Sequence, residues 1–126
     1  MRAVLASGAS AVGRQKIKAW EQAVREAANL LVLGRSGPVF VDLPLRVTMT
    51  FRMARPSGHW RKAGGLKPSA PTYPAGRPDL DKLVRATADA LTGSIYDDDA
   101  RIVAKISAKV YADVGTEGAT ITVEAM

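Results

Sequence analysis

The chain has 126 residues and a mass of 13.4 kDa, enough for one compact domain with a single core and too little for two ordinary ones. Its 18 Lys and Arg against 12 Asp and Glu give a formal charge of +6, which favours a polyanionic partner, nucleic acid first and an anionic membrane surface second. Without cysteine, disulfides, zinc-thiolate sites and thiol catalysis are excluded; without a signal core or a run of roughly 20 apolar residues, a soluble, cytoplasmic protein is expected.

Residues 1–13 are small and weakly patterned, and predict a tail or a short strand with no clear partner. From about Arg14 the pattern turns helical. Ile17, Trp20, Val24, Ala27 or Ala28, and Leu31 recur at three- and four-residue steps, which predicts an amphipathic helix ending near Gly34. Arg35-Ser36-Gly37-Pro38 then punctuates the chain. Beyond it Leu45, Val47, Met49, Phe51 and Met53 alternate with Arg46, Thr48, Thr50 and Arg52, the period of a strand with one buried face.

Residues 54–78 hold five of the seven prolines and four glycines, a composition in which no regular element is expected. The segment carries Arg55, Arg61, Lys62, Lys67 and Arg77 and no acid. It reads either as a solvated linker or as a flexible arm that follows phosphates while Trp60 or Tyr73 stacks on an unpaired base. His59, the only histidine, lies in this loop and reads as a bystander.

Asp79, directly after Pro78, suits a helix N-cap, and Leu80, Leu83, Val84, Thr87 and Leu91 continue a second helix to Gly93 as its C′ residue. Ser94 to Asp99 makes a turn. Ile102, Ala104, Ile106, Ala108 and Val110 then alternate with Arg101, Lys105 and Lys109 in a long strand, and Ile121 and Val123 mark a last one after Gly115 and Gly118. The expected fold is a single α+β domain over residues 1–126: two main helices packed on a small, mostly antiparallel or mixed sheet, with a long basic Pro/Gly-rich loop.

The stretch from Arg77 to Asp99 holds six of the twelve acids in an otherwise basic chain. Asp79 and Asp81 are two apart, so they converge only where Asp79 is still extended, as a cap is. Asp99 arrives from the following turn, and three such carboxylates suit a hard cation such as magnesium, which takes one or two carboxylates with waters and phosphate oxygens. If the chain is extended from Asp99, then Arg101, Lys105 and Lys109 share its face, opposite buried isoleucines, and can hold flanking phosphates. The alternative is plain: Asp is a common cap, Asp81 and Arg85 form an ordinary i, i+4 pair, and Asp-rich turns abound.

The run Arg77-Pro78-Asp79-Leu80-Asp81-Lys82-Leu83, continued by Asp89-Ala90-Leu91-Thr92-Gly93 and by Tyr96-Asp97-Asp98-Asp99-Ala100-Arg101-Ile102-Val103, resembles the RusA family of Holliday junction resolvases. Arg55 to His59, Lys18-Ala19-Trp20 and Lys109-Val110-Tyr111 are weaker echoes. The resemblance implies an endonuclease of DNA recombination and repair, bacterial or phage-encoded. It would depend on Mg2+ or Mn2+, act as a homodimer, and nick two strands of a four-way junction symmetrically. It places the catalytic aspartates on Asp79, Asp81 and Asp99, with Asp98 as a helping neighbour. Two departures bear on the chemistry. Arg85 stands where the family has Lys, and Lys82 where it has Asn. Arginine clamps phosphate but does not readily yield a proton, so Arg85 is expected to stabilise transition-state charge, with Lys82 partly substituting. The family's opening strand, with its Gly-x-Pro segment, is not visible ahead of the first helix. The competing functional readings are a non-catalytic basic DNA-binding protein whose aspartates are structural caps, and a single-strand binding module built on Trp60 and Tyr73.

Overall fold

The computed structural model describes the backbone of residues 2–8 and all of residues 17–126. In chain order the elements are β1 (Arg2–Gly8), α1 (Ile17–Leu31), β2 (Leu45–Met53), α2 (Leu80–Leu91), β3 (Ile102–Tyr111) and β4 (Gly118–Ala125), with single 3-10 turns at Ser57–His59 and Asp99–Arg101. The expected start of the first helix at Arg14 lies outside the described residues.

The four strands form one mixed sheet in the order β1-β4-β2-β3. β4 is antiparallel to both its neighbours, whereas β2 and β3 run parallel. A parallel pair cannot be closed by a hairpin, so the chain must cross over between them; the basic loop and α2 are that crossover. The opening segment is a strand with a partner: β1 pairs along β4, from Arg2 opposite Glu124 to Gly8 opposite Gly118.

Alternation decides which sheet face is covered. Leu45, Val47, Met49, Phe51 and Met53 of β2 and Ala119, Ile121 and Val123 of β4 are buried beneath the helices. The other face carries Arg46, Thr48, Thr50 and Arg52, where Arg46 meets Glu124 at 3.4 Å and Arg52 donates to Thr120 Oγ1 at 2.7 Å. From α1 the residues Trp20, Val24 and Ala28, one helical turn apart, enter the core, and Trp20 meets Phe51 edge to face at 5.8 Å. Leu31, expected on this stripe, is the last residue of the helix and is half exposed.

β3 departs from the expected phase. A register shift occurs beside Val103, after which Lys105, Ser107, Lys109 and Tyr111 lie level with Val47, Met49, Phe51 and Met53 on the helix-bearing face. Ile106, expected to be buried, is therefore 60% exposed on the open face of an edge strand. Nor is the chain extended from Asp99, since Asp99–Arg101 is a 3-10 turn; this turns Arg101 away from the face that Lys105 and Lys109 share.

Candidate active site

The two ends of α2 behave as their residues dictate. Asp79 is the extended N-cap residue (φ −63°, ψ 138°), although its carboxylate makes no capping hydrogen bond. Gly93, with φ +95°, closes the C-terminus in the left-handed region that favours glycine. Between them Leu83, Ala86, Thr87, Ala90 and Leu91 are buried, which leaves Asp81, Arg85 and Asp89, spaced by four, along one exposed face. That face looks toward β3.

The turn after α2 is fixed from both sides. Val39 and Phe40 donate their amides to the Ser94 and Ile95 carbonyls at 3.2 and 2.9 Å, and the Asp97 amide donates to the Phe40 carbonyl at 3.2 Å. Tyr96 is buried and its hydroxyl donates to the Ala88 carbonyl at 2.6 Å, tying the turn to α2. Asp98 caps the following 3-10 turn by accepting from the Ala100 amide at 2.9 Å. Asp97 accepts from the Arg101 guanidinium at 3.0 Å, and these hydrogen bonds hold its carboxyl below the usual carboxylate range. Arg101 also meets Asp42 at 3.2 Å.

This framing delivers Asp99 to the groove between α2 and β3. Asp81, Val84, Arg85, Ala88, Asp89, Asp99, Lys105 and Ser107 line one open concavity of about 470 Å³. It exists because β3 presents Lys105 and Ser107 where the neighbouring strand presents Val47 and Met49, so the sheet edge is polar just where α2 shows its charged face. Although Asp99 is exposed, partial desolvation in the groove pushes its carboxyl up, and the nearby Asp98 and Asp89 carboxyls push it further.

Of the residues expected at the site, Asp81, Arg85, Asp99 and Lys105 are brought together. Asp98 stands against Asp99. Asp79 and Lys82 face each other at 3.9 Å as an exposed pair and do not line the concavity. Three of the expected DNA contacts are engaged within the protein. Arg55 lies 4.1 Å over the Tyr111 ring and donates to the Pro71 carbonyl at 2.8 Å, Lys109 donates to two loop carbonyls, and Arg101 serves Asp97 and Asp42. Arg61, Lys62, Lys67 and Arg77 are exposed on the loop. Tyr73 is exposed and Trp60 is half-buried, where its backbone bridges Leu66. His59 packs edge to face on Tyr111 at 5.5 Å.

Sequence reasoning missed Asp89 and Ser107. The spacing of Asp81, Arg85 and Asp89 by four along one helix was the available signal for the first. None was available for Ser107, whose direction depends on the β3 register.

Among the described residues no group of three or more His, Asp or Glu side chains is placed to hold one ion together. Magnesium needs only one or two protein carboxylates, with waters and phosphate oxygens completing its shell, and the donors here are all hard oxygens. Asp81 and Asp99 therefore fit such an ion.

An open, polar concavity that sets carboxylates beside cations at the edge of a mixed sheet is the kind of site used by enzymes that act on phosphate esters. Residues 2–124 match the family described as Endodeoxyribonuclease RusA, and the chain belongs to that family. It is a family of Holliday junction resolving endonucleases, with DNA as the partner. No curated protein matches the chain. Among the described residues, no helix is long and apolar enough to cross a membrane.

Proposed function

We propose that this chain is a Mg2+-dependent, structure-selective endodeoxyribonuclease that resolves four-way junctions by paired symmetric nicks, acting as a homodimer in the cytoplasm of a bacterium, whether host- or phage-encoded. The observation that carries this reading is the shared concavity of Asp81, Asp99, Arg85 and Lys105 in a RusA-family chain. Asp81 and Asp99 would hold the ion, Mn2+ serving in place of Mg2+, with Asp98 beside Asp99; Asp79, paired with Lys82 outside the concavity, precedes Asp81 by two residues. When bound, such an ion lowers the pKa of water and stabilises a leaving alkoxide.

The protein's own groups bind and orient. Arg85 and Lys105 flank the carboxylates and take non-bridging oxygens of the phosphate being cut. Arg85 works by charge and geometry, because a guanidinium does not give up its proton. Lys82, paired with Asp79 at 3.9 Å, offsets charge there. Arg61, Lys62, Lys67 and Arg77 meet the backbone of the junction arms, which makes binding salt-dependent. In a two-fold dimer, two such sites face a two-fold junction and make two nicks.

The test uses a labelled four-way junction and a linear duplex, with and without magnesium. Wild type is expected to cut the junction only with the metal, Asp81→Asn and Asp99→Asn to bind it without cutting, and sedimentation equilibrium to give twice the chain mass. Cleavage by purified Asp81→Asn would sink the reading. Junction binding by wild type with no nicking in either metal would instead favour a non-catalytic DNA-binding protein.

A further inference from the structure

Lys105 and Lys109 share one face of β3, four residues apart, yet their ammonium groups are placed for different work. Lys105 lines the concavity. Lys109, level with Phe51, is half-buried and its Nζ donates to the carbonyls of Gly76 at 2.6 Å and Pro78 at 2.9 Å, across 33 and 31 residues of sequence. Two of the three ammonium donors are thus spent on the backbone that leads into α2. The Pro78 carbonyl belongs to the same peptide group as the Asp79 nitrogen, so fixing that oxygen fixes where Asp79 begins. A lysine suits the task, because rotatable donors on a point charge can meet two convergent carbonyls.

The other end of the same loop is held one strand step further along β3. Tyr111 carries the Arg55 guanidinium over its ring at 4.1 Å and the His59 edge at 5.5 Å. Both ends of residues 54–78 are therefore tied to one face of one strand.

We infer that Lys109 is a positioning residue: a latch that holds the Gly76–Pro78 backbone on β3 and so sets where Asp79, Asp81 and the first turn of α2 stand against Asp99. This rests on the nuclease reading above, and it removes Lys109 from the residues that contact DNA phosphates.

The experiment compares Lys109→Met, Lys109→Arg and Lys105→Met with wild type in three measurements: amide exchange over residues 75–81, single-turnover cleavage of a four-way junction in magnesium, and junction affinity as a function of salt. Lys109→Met keeps the aliphatic stem and removes the donors. It is expected to speed exchange over residues 75–81 and to slow cleavage at saturating enzyme about tenfold or more, by analogy with small misplacements of reacting groups. Its salt slope should match wild type, and Lys109→Arg should recover part of the rate. Lys105→Met should reduce the slope by about 0.9, the loss of one phosphate contact. A slope reduced by about 0.9 in Lys109→Met, with exchange and saturated rate unchanged, would make Lys109 a phosphate contact and overturn the inference. Unchanged exchange would overturn it whatever the cleavage result. A wild type that cuts no junction defeats the nuclease reading, while the exchange measurement still decides the latch.

Discussion

The indole N–H of Trp20 donates to the Thr87 hydroxyl at 2.8 Å inside the core, and that hydroxyl donates onward to the Leu83 carbonyl at 2.7 Å. This chain joins α1 to α2 through the only direction in which both polar groups are satisfied. Thr87→Val keeps the volume and strands the indole N–H, which costs about 1–3 kcal/mol. Urea unfolding of Thr87→Val should show that loss. Trp20→Phe combined with Thr87→Val should lose less than the two single changes summed, since neither partner is then left unpaired.

Tyr96 gives the clearest pH dependence. Its phenol is buried and lies near Asp99 and Asp89, and burial first, then those carboxylates, push its ionisation well above the ordinary 10.0. The unfolded phenol ionises at its ordinary value while the native one stays protonated, so the native state binds more protons above about pH 10. Stability is therefore intact below pH 10 and falls as pH rises beyond it, by up to about 1.4 kcal/mol per pH unit. Tyr96→Phe should remove that alkaline slope. It should also cost about 0.5–1.5 kcal/mol at neutral pH through the lost bond to Ala88. Denaturant midpoints measured at pH 7 and pH 10.5 distinguish the two effects.

Asp99 predicts a link between metal and stability. Partial desolvation, then the carboxyls of Asp98 and Asp89, raise its carboxyl above its ordinary value. A raised carboxyl favours the native state at acid pH and loses that contribution as pH rises, and for an exposed group such as Asp99 solvent keeps the effect small. In chelator at pH 7, Asp99→Asn is expected to melt no lower than wild type. Manganese at a hundredfold excess over its Kd should stabilise wild type by about 2.7 kcal/mol and leave Asp99→Asn unmoved. Chelator should reverse the wild-type shift, and thermal unfolding with and without manganese checks all three expectations.

What the sequence disclosed follows from how local each signal is. β2 was legible residue by residue because Leu45 to Met53 alternate without interruption, and α2 because Pro78-Asp79 and Gly93 mark its ends. The partner of β1 was not, since the pairing of Arg2 with Glu124 joins the two ends of the chain. The face of β3 was misread because the register shift at Val103 leaves no mark in the hydrophobic pattern, and one residue of slip exchanges Ile106 for Lys105 and Ser107. Of the motif's three aspartates, Asp81 and Asp99 line the concavity and Asp79 does not. The place of Asp89 came from packing α2 across β3, and the pairing of Asp79 with Lys82 from side-chain geometry at an exposed cap.

Arg85 separates charge from proton transfer. It stands one helical turn from both Asp81 and Asp89 and lines the concavity with Asp99 and Lys105, so its guanidinium is close to any phosphate bound there. A guanidinium stays protonated throughout the working range, so it can stabilise developing negative charge but cannot serve as the acid or base. Arg85→Met should therefore slow single-turnover cleavage by about 10²–10³-fold, the loss found when one donor to a transition-state oxyanion is removed. Arg85→Lys restores the charge without the planar fork and should stay within about tenfold of wild type. The pH–rate profile of Arg85→Met should keep the shape of the wild-type curve at a lower level, because the titrating groups are elsewhere. A limb missing from that profile would assign proton transfer to position 85 and contradict the role in charge stabilisation.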